Sequence, residues 1–316
     1  MATSEREYLE ISTLSKSQES RITNQIGRYL DKSGMRCEGQ GSKFESLQAK
    51  RAEGAKGSQE THDNLKFFSY ATEDSYLSCF RQFLRFEYSE YGLKQPEQTK
   101  PEMLRAFAVH LVDVGASQNT YQKYMSALSK FDNILEKATK NKVDWEKTLK
   151  DLRPLKDACP DKEHPRAYAN PRALINELDG NYKIAAQLQY YCGLRVSDAV
   201  YISAGRWDPY TRTGIANSKG GQQIAFRPPP EVAVAISREI EAEGKFSVHG
   251  YPYALKAACE RLGIEFNGTH GLRANFAKAR MEHYEKGCRL SHREALQRVS
   301  EEMGHHRPEI TERYLR

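Results

Sequence analysis

The sequence lacks the signatures of the commonest nucleotide, metal and acyl-transfer sites. It has no GxxxxGK[ST] phosphate cradle, no GxGxxG turn, no HExxH zinc helix and no GxSxG nucleophile elbow. Its six cysteines (37, 79, 159, 192, 259 and 288) form no CxxC pair and share no recurring spacing. That pattern argues against a disulfide framework or a zinc site and suits a reducing, cytoplasmic setting. No run approaches the roughly 18 apolar residues that a spanning helix requires. The opening MATSEREYLEIS has no basic start followed by an apolar core, so it does not read as a secretory signal. The expectation is a cytoplasmic protein with no membrane partner.

What is present is length and an uneven positive charge. The chain has 316 residues, enough for about two domains of ordinary size. Lysine and arginine number 48 against 42 acidic residues, a formal net charge of +6, which hints mildly at a polyanionic partner. Residues 1–165 carry 26 basic against 25 acidic side chains, whereas residues 166–316 carry 22 against 17. Five of the nine histidines (270, 283, 292, 305 and 306) fall in the last 47 residues.

The pattern along the chain divides it further. Residues 5–32 have weak helical periodicity, and residues 33–62 are rich in Gly, Ser, Gln, Lys and Glu, which reads as a linker or mobile segment. From 65 to about 145 the period is strongly helical. Thr72 or Asp74 can cap a helix with Tyr76, Phe80, Phe83 and Leu84 on one face. Pro101 can open a second, closed by Gly115. A third starts near Asn119 and keeps Tyr121, Met125, Leu128, Phe131 and Leu135 together. Its other side carries Lys123, Lys130 and Lys137, seven apart, a row that can track a phosphate backbone or form an ordinary solvated face. The segment 150–166 holds three prolines among charges and reads as the interdomain linker. Beyond it, IANSKGGQQIAF (215–226) has two β-compatible arms around a Lys-Gly-Gly turn, and a helix resumes over 231–244.

The groups left to carry chemistry are cationic and imidazole side chains plus one tyrosine. They are Arg195 in YYCGLRVSDAV, Lys219 in NSKGGQQ, His270 and Arg273 in THGLRANFA, His305 in EMGHHRPEITERYLR, and Tyr314 at its end. Two arginines offer planar, permanently charged forks that match phosphate oxygens. A lysine on a hairpin tip can protonate a leaving oxygen. A tyrosine hydroxyl, with a free pKa of about 10, needs a base and a cationic surrounding before it becomes a nucleophile. Together these are parts for attack of tyrosine on a phosphodiester.

In order and spacing the sequence resembles the tyrosine recombinase (phage integrase) family. The motifs are Gly193-Leu194-Arg195-Val196-Ser197-Asp198, the hairpin Lys219, His270-Gly271-Leu272-Arg273, Gly304-His305, and Tyr314 nine residues after His305. The likeness covers about 166–316 and extends to 65–145, which looks like the family's core-binding domain. It implies a mainly α fold with a small antiparallel β-sheet: an N-terminal extension (1–60), a helical SAM-like DNA-binding domain (61–155) and a mixed α/β catalytic domain (156–316).

The resemblance also implies roles. Tyr314 attacks the scissile phosphate and forms a 3′-phosphotyrosyl bond. Arg195 and Arg273 bind the non-bridging oxygens, Lys219 protonates the leaving 5′-oxygen, His270 is the general acid/base and His305 donates to the phosphate. Asp198 orients the site or simply pairs with Arg195. No metal or ATP cofactor is implied. The implied partners are double-stranded DNA recombination sites, three further copies of the chain in a tetramer that passes through a Holliday junction, and accessory DNA-bending proteins. The expected location is the cytoplasm, on the nucleoid. A mobile element's integration and excision is the favoured task. Resealing of a single strand, as by a type IB topoisomerase, and site-specific DNA binding without catalysis are the alternatives.

Three features depart from the family pattern. Two residues follow Tyr314, whereas relatives usually continue into a tail helix, so coupling through another segment or a longer natural chain is expected. The stretch between Arg273 and Gly304 is long, with 284–295 as the insertion, and Ala274 stands where many relatives have histidine. Lys245 is a rival to Lys219, and His306 to His305.

Overall fold

The computed structural model describes residues 14–39, 43–54, 65–141, 143–161, 166–217, 223–305 and 307–315. The chain divides into two compact units, Met1–Lys162 and Glu163–Arg316.

The first unit is helical. Its elements are α1 (Lys16–Ser33), α2 (Lys43–Ala52), α3 (Tyr70–Tyr91), α4 (Pro101–Asp113), α5 (Gln118–Thr139) and α6 (Glu146–Leu152). Ser15 caps α1 in a reciprocal box with Gln18, and Ser117 caps α5 through the Thr120 amide. Pro101 opens α4, where a missing N–H costs nothing. The cap of α3 is Ser69, three residues before the earlier of the two expected positions, and its side chain makes no cap bond. One apolar cluster joins all but α2: Ile22, Ile26 and Leu30 of α1 meet Phe80, Phe83, Phe107, Leu128, Phe131 and Trp145. Thus α1 belongs to this core, although the sequence reads as if it stood apart, and the stretch read as a linker includes α2.

The lysine row does not form a uniform solvated stripe. Lys130 is half-buried; its Nζ donates to the Leu65 carbonyl and lies 5.5 Å from the centre of the Phe67 ring. It anchors the segment entering α3 from within the unit. Lys123 is also half-buried and Lys137 is exposed.

The second unit mixes helices with short strands: α7 (Pro171–Asn176), α8 (Gly180–Cys192), α9 (Val196–Ala199), β1 (Tyr201–Ser203), β2 (Trp207–Asp208), β3 (Thr213–Asn217), β4 (Gln223–Phe226), α10 (Pro230–Glu243), β5 (Lys245–Ser247), α11 (Tyr251–Arg261), α12 (Gly271–Glu282), α13 (His292–Glu302) and α14 (Pro308–Leu315). The β3–β4 hairpin pairs Gly214 with Phe226 and Asn217 with Gln223, and β2 adds to its edge through Trp207 and Gly214. Antiparallel β1 and β5 form a separate two-stranded sheet. Trp207 is buried and donates its indole N–H to Ser237 of α10 at 2.9 Å, so it is a core residue as its position suggests. No helix among the described residues is long and apolar enough to cross a membrane.

Candidate functional site

The second unit gathers Arg195, His270, Arg273, His305 and Tyr314 into one place. Each reaches it through a local device readable in the chain. Helix α8 ends at Gly193, whose φ of +63° is the left-handed conformation that only glycine adopts without strain. A side chain there is also excluded by Phe276, since a Cβ would sit 2.5 Å from its ring. Buried Leu194 follows, and Arg195 then stands at the start of α9.

His270 stands at the N-terminus of α12, and Arg273 lies in that helix's first turn. The preceding loop is pinned by Gln189 of α8, which is fully buried. Its amide donates to the Thr269 carbonyl at 2.8 Å, and its oxygen accepts from the Tyr251 hydroxyl at 2.7 Å. From the other side, Tyr168 and Asn275 exchange two hydrogen bonds, of 3.0 and 2.8 Å. That clamp lays residues 166–168 against α12.

Arg273 is the centre of the arrangement. It is only 2% exposed. One Nη donates to the Gly193 carbonyl; the other donates to Met303 O at 2.6 Å and lies 3.1 Å from Nε2 of His305. Its Nε–H is buried with no partner in the protein. A buried donor left open on a permanently charged group fits an anion. Burial, reinforced by Arg195, pulls the guanidinium down to about 10, so it stays charged at neutral pH. Arg195 reaches the Gly304 carbonyl at 3.4 Å.

His305 is 8% exposed, and its Nδ1 lies 2.8 Å from Oγ1 of Thr311. Burial first, then the charges of Arg273 and Arg195, push its ring down to about 3. His270 is lowered by the same kinds of cause, with Arg166 among the charges. Both imidazoles are therefore neutral at physiological pH, as a base or a tautomeric donor must be.

Tyr314, on α14, is 7% exposed and packs on α12 and α13 with Phe276, Met281, Leu296 and Val299. Its ring stacks on His305 at 5.4 Å between centroids, and its hydroxyl lies 3.4 Å from Nδ1 of His270. The latter is a long hydrogen bond, of the kind common in sites without substrate. The guanidinium carbons of Arg273 and Arg166 lie 5.7 and 5.6 Å from the ring centre.

Arg166 was invisible to motif spacing. It precedes every motif, and only the Tyr168–Asn275 clamp brings it here; nothing in the local sequence announces that contact. Asp198 is half-buried within reach of the charges of Arg195 and Arg273; burial raises its carboxyl while the arginines oppose the rise. Lys219, which falls in the sequence between β3 and β4, and His306 lie outside the described residues. Lys245 is exposed at the start of β5. His283 and His292 are away from the cluster, where His292 faces Glu285 at 2.7 Å. The expected insertion forms the turn His283–Gly287 and the first part of α13.

Among the described residues no group of three or more His, Cys, Asp or Glu side chains could hold a metal ion. The arrangement can do something else. It presents a hydroxyl beside a neutral base, and a set of guanidinium donors that can receive a phosphate.

Solved structures with the same architecture exist at low sequence identity. The XerH site-specific recombinase bound to palindromic difH substrate, in a post-cleavage complex, matches with a TM-score of 0.60 at 16% identity, over 96% of this chain and 94% of that one. A lambda integrase dimer bound to a COC′ core site matches with 0.55 at 15%, over 96% and 81%. The Tn1549 transposon integrase in complex with transposon right end DNA gives 0.50 at 14%, over 86% and 94%. No protein-family model and no curated protein sequence matches the chain.

Proposed function

We propose that this chain, which has the tyrosine-recombinase fold, is a site-specific recombinase that cleaves and rejoins DNA strands through a 3′-phosphotyrosyl intermediate. The observation that carries the reading is the 3.4 Å approach of the Tyr314 hydroxyl to His270, beside an arginine with an unpartnered buried donor.

The chemistry follows from the groups. A scissile phosphodiester enters as a monoanion and gains charge as the tyrosine oxygen adds to phosphorus. Arg195 and Arg273 sit where that charge develops, and a preorganised donor of this kind is worth about 10²–10³ in rate. His270, being neutral, accepts the Tyr314 proton. The P–O bond to the 5′-oxygen breaks as the tyrosyl bond forms, and Lys219 supplies the proton that the departing oxygen takes up. The energy of the broken bond stays in the phosphotyrosyl linkage, so a second 5′-hydroxyl can reverse the attack without ATP. The whole set acts as one protomer of a tetramer on two DNA sites, exchanging strands by way of a Holliday junction, for integration and excision of a mobile element. Double-stranded DNA is the partner, and the nucleoid the place of action.

The test is covalent trapping. The protein is mixed with nicked suicide duplexes carrying its own genomic flanking sequences, and the products are run on a denaturing gel beside Tyr314→Phe. An adduct on the 3′ end with wild type and none with the variant supports the reading. An adduct that persists in Tyr314→Phe removes it. Product that is only the resealed original strand favours a type IB topoisomerase-like activity.

A further inference from the structure

Thr311 lies three residues before Tyr314 on α14 and is 0% exposed. Its hydroxyl meets Nδ1 of His305 at 2.8 Å, while the other ring nitrogen meets Arg273 at 3.1 Å. A guanidinium carries only N–H donors, so Nε2 must accept. The neutral ring then carries its proton on Nδ1 and gives it to Thr311. In this state His305 has no proton on the nitrogen that faces Arg273, and it cannot donate there to a phosphate oxygen.

The partner on the far nitrogen decides whether that can change. A carboxylate or a backbone carbonyl at Nδ1 would only accept, and would lock the proton in place. A hydroxyl is both donor and acceptor. By rotating about Cβ–Oγ, Thr311 can accept from Nδ1–H or donate to bare Nδ1, with no heavy atom displaced. The backbone of His305 is fixed meanwhile: its N–H donates to Ser300 O at 2.8 Å, and Ser300 Oγ donates to its carbonyl at 3.1 Å. Exchange of tautomer is therefore the change this environment leaves open to the ring.

We propose that Thr311 is a positioning residue that supports both tautomers of His305: Nδ1–H while an Arg273 N–H points at Nε2, and Nε2–H once a phosphate oxygen draws that N–H away and accepts from the ring. The exchange is balanced through water, one proton leaving Nδ1 to solvent and one arriving at Nε2, and the ring stays neutral. The inference rests on the recombinase reading for the identity of the anion.

Histidine-selective ¹⁵N NMR of the full chain tests it, with inorganic phosphate as the probe. In wild type and in Thr311→Ser, the His305 nitrogens are expected to report Nδ1–H in the free protein and Nε2–H at saturating phosphate. In Thr311→Val, which keeps the shape and loses the hydroxyl, Nδ1–H has no acceptor, so the free protein is expected to lose the Nδ1–H preference of wild type. In the trapping assay the same valine variant should cleave about 10–100-fold more slowly at unchanged DNA affinity, with serine restoring most of the rate, the range found where a metal-ligating histidine loses its hydrogen-bond partner. A wild-type ring that keeps its proton on Nδ1 under phosphate overturns the proposal, as does a Thr311→Val protein that keeps Nδ1–H when free and cleaves like wild type. If phosphate switches the tautomer but wild type forms no adduct, the recombinase reading has failed and the role of Thr311 stands.

Discussion

Nη2 of Arg273 lies 3.1 Å from Nε2 of His305, and the same guanidinium also holds the carbonyl oxygens of Gly193 and Met303. One side chain thus ties the end of α8 to the end of α13 across the base of the site. A lysine keeps the charge but not the fork. Arg273→Lys should therefore lose at least about 10²-fold in single-turnover cleavage. It should also lose about 1–3 kcal/mol of stability, because buried carbonyls are left without donors. Parallel trapping kinetics and urea unfolding read the two effects separately.

Acid should loosen the second unit through His305. Its folded pKa of about 3 lies below the ordinary 6.5, so between those values the unfolded chain binds the extra proton. The stability this group contributes is complete above about pH 6.5 and is lost as pH falls, by about 3 kcal/mol at pH 4. The chain has two tryptophans, Trp145 in the first unit and Trp207 in the second. In a Trp145→Phe background, Trp207 fluorescence follows the second unit alone. His305→Gln should flatten its acid limb.

Glu87 contributes an opposite slope in the first unit, where burial also raises Asp132, to about 7. It is 1% exposed, accepts from the Thr99 hydroxyl, leaves its other oxygen unpartnered, and is raised by burial to about 8. The folded state keeps the proton that the unfolded chain releases near pH 4.5. The stability it contributes is therefore full in acid and declines by about 1.4 kcal/mol per pH unit up to pH 8. Glu87→Gln, followed through Trp145 in a Trp207→Phe background, should remove that decline. An unchanged slope in the variant would rule the carboxyl out as its source.

Gly193→Ala should destabilise the second unit by about 2–4 kcal/mol. It forces a Cβ into a left-handed backbone and against the Phe276 ring. The expected readout is a lower urea midpoint at constant slope.

Arg166→Gln should weaken cleavage about tenfold, since the residue contributes charge beside Tyr314 without filling the core. Removing that charge also relieves part of the depression on His270. The acid limb of the rate profile should move to higher pH, and an unmoved limb would place Arg166 outside the site.

Arg195, His270, Arg273, His305 and Tyr314 were legible because each sits in a short local frame: a helix-ending glycine, a helix start, a turn, a nine-residue step. Arg166 and Thr311 were not, because their roles depend on contacts made only after folding. Thr311 reads in the sequence as one more helix residue until His305 turns towards it. The helices of the first unit showed through their 3.6-residue period. The two- and three-residue strands β1, β2 and β5 are too short to display alternation. The attachment of α1 was hidden too, since its three buried positions acquire meaning only against α3 and α5. Lys130 shows the same limit in reverse: a register on a helix face says nothing about a carbonyl 65 residues earlier.

Because α14 folds back onto α12 and α13 of its own unit, Tyr314 and the arginines beside it come from one and the same chain. Mixing a chain that carries Tyr314→Phe with one that carries Arg273→Ala is therefore expected to restore no adduct in the trapping assay.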